Sequence, residues 1–147
     1  MEEVERAIQR MADHAEAQAR FLRALDQDEL QIGEWLDVLA RLGMEQSAIH
    51  ALANTVSSGI GLPKSARSRI LAYFRRHVGE VVSQHQLAGV GGIHEWARRV
   101  RELRKAGWPI VSDQEDPELK PGQYRMTSPR RGEVVEAEQA GPTLPPG

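Results

Sequence analysis

The chain has 147 residues, enough for one domain of ordinary size or two very small ones. It contains no cysteine, which excludes a disulfide frame, a thiolate zinc site and a cysteine nucleophile. The net charge of −2 conceals a polarised chain, because residues 1–63 hold five Lys/Arg against eleven Asp/Glu while residues 64–131 hold fourteen against seven.

Residues 2–25 have helical periodicity, with Val4, Ile8, Met11, Ala15, Ala19, Leu22 and Leu25 at three- and four-residue steps. This opening is acidic and helical, unlike a signal peptide. No apolar run approaches the roughly 20 residues of a membrane span, so a cytoplasmic protein without membrane contact is expected. Asp26 to Glu29 break the pattern. A second helix is expected over 33–42, with Trp35, Leu36, Leu39 and Leu42 on one side, Trp35 in the core or a helix–helix contact, and Gly43 as its stop. A third, over 45–57, presents Ile49, Leu52, Ala53 and Val56. Residues 1–58 thus form an acidic three-helix segment, whose apolar stripe permits a homodimer. SSGIGLPKS supplies a linker at 59–64, where the charge also changes sign.

The domain expected over 65–128 begins with a helix at 65–78, Ser65 being placed to cap it. Ile70, Leu71, Phe74 and Val78 form its apolar stripe, and Gly79 stops it. Glu80-Val81-Val82-Ser83 suits a short strand. Ser83 can then cap a brief helix, 84–88, followed by a turn at Gly89-Val90-Gly91-Gly92. A cationic helix is expected over 93–106, ended by Gly107. Trp108 to Ser112 is a strand, 113–123 a polar loop with Pro117, Pro121 and Gly122 as turn residues, and 124–127 a returning strand. The expected fold is mainly α with a small β-hairpin: an N-terminal three-helix segment plus a winged helix-turn-helix. Residues 129–147, rich in Pro, Gly and Glu, read as a disordered acidic tail.

The cationic helix carries the functional reading. With Ile93 at zero on a helical wheel, Trp96, Ala97, Val100 and Leu103 fall within about 80° of it, forming a core face. Glu95, Arg98, Glu102 and Lys105 point the other way, flanked by His94, Arg99 and Arg101. A charged helix standing alone is more simply a solvated face, and Glu95–Arg99 and Arg98–Glu102 have the spacing of internal ion pairs. The preceding short helix, the glycine turn and the following hairpin favour double-stranded DNA as the partner, because a major groove accepts one helix. In that arrangement His94, Glu95 and Arg98 lie where base contacts concentrate, while Arg99, Arg101, Arg104 and Lys105 suit phosphates. Arg104 also lies close enough to the apolar side to extend beside the wing. Ser83 and Gln84 open a helix whose backbone N–H groups can hold a phosphate. Lys120, Arg130 and Arg131 could reach an adjacent backbone, and Arg75 and Arg76 serve either as phosphate contacts or as solvated surface. Trp96, Trp108 and Tyr124 suit the core better than base stacking.

No catalytic constellation, metal-ligand spacing or cofactor motif is present. The five histidines include no pair at four-residue helical spacing, and the glycine turn lacks a phosphate-loop pattern. Whether the protein is an enzyme is therefore left open by these residues. The alternative to DNA binding is a transcriptional regulator or interaction module using the winged helix for protein contact.

The stretch ILAYFRRHVGEVVSQHQLAGVGGIHEWARRVRELRKAGWPIVS, with LKPGQYRMTS after it, resembles the winged-helix DNA-binding segment ahead of the nuclease domain in bacterial HNH endonucleases of restriction type. The similar parts are VGxVV, ExARRVRELR, GWPI and LKPGxY, spanning roughly residues 65–128. The resemblance implies duplex DNA recognition, either as part of a larger endonuclease or as a stand-alone relative. That family places its HNH histidines and metal ligands downstream of this segment, so the resemblance carries over no catalytic residue, and nuclease activity would need an HNH domain absent from these residues.

Overall fold

A computed structural model describes residues 1–132. Residues 133–147, most of the expected acidic tail, lie outside the described residues. The chain divides into two compact units, Met1–Leu62 and Pro63–Gly147.

The first unit is an antiparallel helical hairpin. Helix α1 spans Glu2–Arg23, a 3-10 turn covers Gln27–Glu29, and helix α2 spans Ile32–Gly59. Asp26 caps the turn, its Oδ1 accepting the Asp28 N–H at 3.1 Å. The three expected helices are therefore two, because α2 runs through Gly43. A glycine stop needs a left-handed conformation, which Gly43 does not adopt. Within a helix one glycine costs only about 1 kcal/mol relative to alanine, and Leu42, Met44, Glu45 and Gln46 around it are strong helix formers.

The α1 face that meets α2 is also rotated from the expected stripe. Val4 and Ala7 are buried and Met11, His14, Gln18, Phe21 and Leu25 partly so, whereas Ile8 and Leu22 are exposed. These buried positions alternate three- and four-residue steps, the seam of a helix lying almost parallel to its partner. Along the seam Val4 abuts Gly59, where a Cβ would collide with its side chain. His14 Nδ1 lies 2.8 Å from Glu45 Oε2, and the Arg41 guanidinium stacks 4.0 Å over the Phe21 ring. Trp35, expected in a core or a helix contact, instead stands 42% exposed, because Val38 holds the inward position on its turn of α2.

In the second unit, helix α3 (Ala66–Arg76) is followed by strand β1 (Val82–Ser83), helix α4 (Gln84–Gly91), helix α5 (Trp96–Lys105) and strands β2 (Ile110–Ser112) and β3 (Gln123–Met126). The strands form an antiparallel sheet in the order β1-β3-β2, with Val82 opposite Tyr124 and Ile110 opposite Met126. One core joins the elements: Ile70 and Phe74 from α3, Val82 from β1, Leu87 from α4, Val100 and Leu103 from α5, Ile110 from β2 and Met126 from β3. Trp96, Trp108 and Tyr124 pack against it partly buried, Trp96 edge-on to Tyr124 at 6.1 Å.

The caps follow the sequence closely. Ser65 accepts the Ser68 N–H at the start of α3, and Ser83 and Gln86 form a reciprocal capping box at the start of α4. The link between α4 and α5 differs from the expected glycine turn. Gly89 and Gly91 belong to α4, and Gly91 is buried where a Cβ would run into Ile70. The chain reverses at Gly92, whose φ of 98° suits glycine. Residues 93–95 form a turn rather than the first turn of α5, so Ile93 leaves the core face assigned to it and is 71% exposed. Arg69 ties this corner together, donating to the Val90 carbonyl at 2.9 Å and to the Lys64 carbonyl at 2.6 Å.

Candidate nucleic-acid interface

Helix α5 is strongly two-sided. Val100 and Leu103 are buried and Trp96 and Ala97 partly buried, while Arg98, Arg101 and Lys105 are exposed on the other side. The buried residues recur at three- and four-residue spacing, so the positions between them must face water. A shallow open groove on this side is lined by Arg98, Arg101, Glu102, Arg104 and Lys105.

The five cations of α5 separate into two groups. Arg99 is held between Glu95, the N-cap residue of α5, and Glu102. It donates to Glu95 and, through Nη1, to both oxygens of Glu102 at 2.9 Å. These hydrogen bonds, with Glu95 the larger influence, raise the Arg99 pKa, and the Arg99 hydrogen bond holds the Glu102 carboxyl below its usual range. Arg104 crosses to the loop after β2 and meets Glu115 Oε1 at 2.8 Å. Glu115 is lowered first by the hydrogen bond from the Ser112 backbone N–H and then by Arg104. Arg98 touches Glu102 only through Nε at 3.4 Å, and its side chain is 65% exposed. Arg98, Arg101 and Lys105 are thus the cations this helix presents to solvent.

The other expected residues sit as follows. His94 is exposed in the turn before α5, and Glu95 is its N-cap residue, engaged by Arg99. Lys120 is exposed in the β2–β3 loop. Ser83 and Gln84 are less available than their position suggested. The Ser83 N–H donates to Gln86 Oε1, the Ser83 hydroxyl accepts the Gln86 N–H, and the Gln84 N–H donates to the Gly122 carbonyl at 2.8 Å. Arg75 lies 5.8 Å over the Trp108 ring, which gives it a packing role. Arg125 of β3 is pinned to the β2–β3 loop by Asp116 at 2.8 Å and Glu118 at 3.2 Å.

Arg67, on the first turn of α3, is a residue the sequence gave no reason to single out. It is exposed and close enough to Glu102 to favour its ionised form. Its only signal was its charge, since no spacing links it to α5. Among the described residues no three His, Asp or Glu side chains converge to hold a metal, and no helix is long and apolar enough to cross a membrane.

No curated protein and no solved structure matches the chain. Residues 67–127, from the start of α3 to just past β3 and under half of the chain, match the family model of the KpnI N-terminal domain, which links this segment to the N-terminal domain of a restriction-type enzyme.

Proposed function

We propose that the unit beginning at Pro63 binds duplex DNA as a winged helix, with α5 in the major groove and the β2–β3 loop against the adjacent backbone. The observation that carries this is the solvent-facing set Arg98, Arg101 and Lys105 on a helix whose opposite face is locked into the core. A rigid helix with solvent-facing guanidinium groups suits both guanine edges and phosphate oxygens. The element order of this unit, its three-stranded sheet and the match to a restriction-type N-terminal domain support the same reading. Arg98, nearest the start of α5, is assigned to base edges together with His94, and Arg101, Lys105 and Lys120 to phosphates. Arg99 and Arg104 shape the surface from their ion pairs, and Arg67 adds positive charge beside Glu102. A homodimer through α1 and α2 would give each assembly two copies of the second unit, and a target of two half-sites would follow.

The test is fluorescence anisotropy of a labelled random 25-mer duplex, titrated with the full chain at low and moderate salt. Three to four phosphate contacts predict that log K falls against log salt with a slope of about −3 to −4. Absence of binding at low salt would refute the proposal and favour a protein-interaction module.

A further inference from the structure

Of the large apolar side chains of α1 and α2 left exposed beside the seam, all but Met44 fall on one side of the hairpin. On a wheel of 100° per residue, Ile8, Ala12, Ala15, Ala19 and Leu22 of α1 lie within an arc of about 80°, turned by about 90° from the seam. Ile32, Trp35, Leu36 and Leu39 of α2 lie within about 100°, turned from their seam in the same sense. In an antiparallel pair, turns of the same sense bring both strips to the same side. Neither arc contains Asp, Glu, Lys or Arg: Glu34, Asp37, Arg41 and Glu45 of α2 fall on the seam or beyond it, and Glu5, Glu16 and Arg23 of α1 border the strip on its edge away from the seam.

We propose that this face is the interface with a second copy of the chain, two hairpins pairing about a two-fold axis into a four-helix bundle. Ile32 is 83% and Leu36 60% exposed, and Ile8, Leu22, Trp35 and Leu39 are exposed as well. Weighting side-chain areas of about 150–250 Å² by such exposures gives roughly 600 Å² of contiguous apolar surface. Isolated soluble monomers seldom leave that much open. With the alanines it approaches the roughly 800 Å² that each partner contributes to a stable interface. The unit also lacks a core of its own, since Val4, Ala7 and Val38 are its only buried apolar residues. The face is self-complementary: large side chains stand toward the turn end and Ala12, Ala15 and Gly43 nearer the middle, so a two-fold pairing seats the ridge of one copy in the trough of the other. This inference is independent of the DNA reading.

Sedimentation velocity of the full chain should give twice the 16.4 kDa chain mass. The double substitution Leu36→Asp and Leu39→Asp should weaken the dimer roughly 100-fold or more, with the helical circular dichroism retained because both positions are exposed. Met44→Asp, on the opposite side of α2, should leave it intact. The absence of cysteine allows a single Arg10→Cys, at an exposed position of α1 away from this face, to carry one spin label per copy. The wild-type background should then show one inter-copy distance, and the double variant none. A monomer up to about 100 µM, or a dimer that survives the double substitution, would overturn the proposal. A monomer that the double substitution destabilises would also overturn it, and would mean that the face is covered within the chain.

Discussion

Glu102 offers a test in which removing a charge should improve binding. Its carboxylate accepts two hydrogen bonds from Arg99 and lies 3.4 Å from Arg98 Nε, in the middle of the cationic side of α5. Glu102→Gln keeps the size of the side chain and removes the negative charge. Among the described residues Arg98 then loses its one ion-pair partner and Arg99 retains Glu95 alone. If the freed guanidinium reaches one further phosphate, the salt slope steepens by about 0.9. At 0.1 M salt, one added contact of this kind strengthens binding by up to about eightfold. The assay is anisotropy with a 25-mer duplex at several salt concentrations, comparing slopes as well as dissociation constants. Thermal unfolding should change little, because exposed ion pairs contribute little to stability. Unchanged or weaker binding, with an unchanged slope, would show that this side of α5 does not face DNA, whatever the affinity of the wild-type chain.

Arg98→Ala should cost roughly 1–3 kcal/mol of binding, concentrated at one base position, whereas Lys105→Ala should weaken all sequences alike; selection from a randomised duplex pool separates the two. Leu87→Ala, at a fully buried core position, should destabilise the second unit by about 2–5 kcal/mol in urea unfolding, and a loss under 1 kcal/mol would refute the packing described. Gly92→Ala imposes a side chain on a backbone with φ of 98° and should cost about 1–3 kcal/mol, measured by the same unfolding. The Glu115 carboxyl has a depressed folded pKa, so its contribution is present above the unfolded value of 4.5 and is lost as pH falls through the lower folded value. Glu115→Gln should therefore flatten the acid limb of the stability curve between those values, and an unaltered limb would remove the Ser112 and Arg104 contacts from that account.

The second unit was largely legible because its elements are set by local signals. Ser65 and Ser83 cap α3 and α4 through their own side chains, and the spacing of Val100 and Leu103 fixes the inward face of α5. Local signals failed where the same residue type serves two purposes. Gly43 and Gly89 look like helix stops in sequence, yet both lie inside helices, while Gly92 makes the reversal through its positive φ. Gly91 is small because Ile70 packs on it, a requirement visible only once α3 and α4 are in contact. In the hairpin, both the observed seam and the expected stripe of α1 satisfy helical periodicity, since the helix is apolar over more than its contact width. Only the partner decides between them, through Phe21 with Arg41 and Val4 with Gly59.

The same distinction divides the arginines of the candidate interface. Pairs within one helix turn follow from spacing, and Glu95–Arg99 and Arg98–Glu102 both form. Pairs between elements do not: Arg104 with Glu115, Arg125 with Asp116, and Arg69 with the Val90 carbonyl at the end of α4 depend on the closed fold. A count of basic residues over 64–131 therefore overstates what the surface can offer a phosphate. Arg69, Arg99, Arg104 and Arg125 are already satisfied by acids or carbonyls, and Arg75 lies over Trp108. What remains is Arg98, Arg101 and Lys105 on α5, Lys120 on the loop between β2 and β3, and Lys64, Arg67, Arg76, Arg130 and Arg131 exposed elsewhere. Charge used for folding holds the scaffold rigid, and of the charge left over only Arg98, Arg101 and Lys105 share one helix face. A salt slope near −3 to −4, rather than one scaled to all fourteen basic residues of that segment, is the measurable consequence of that division.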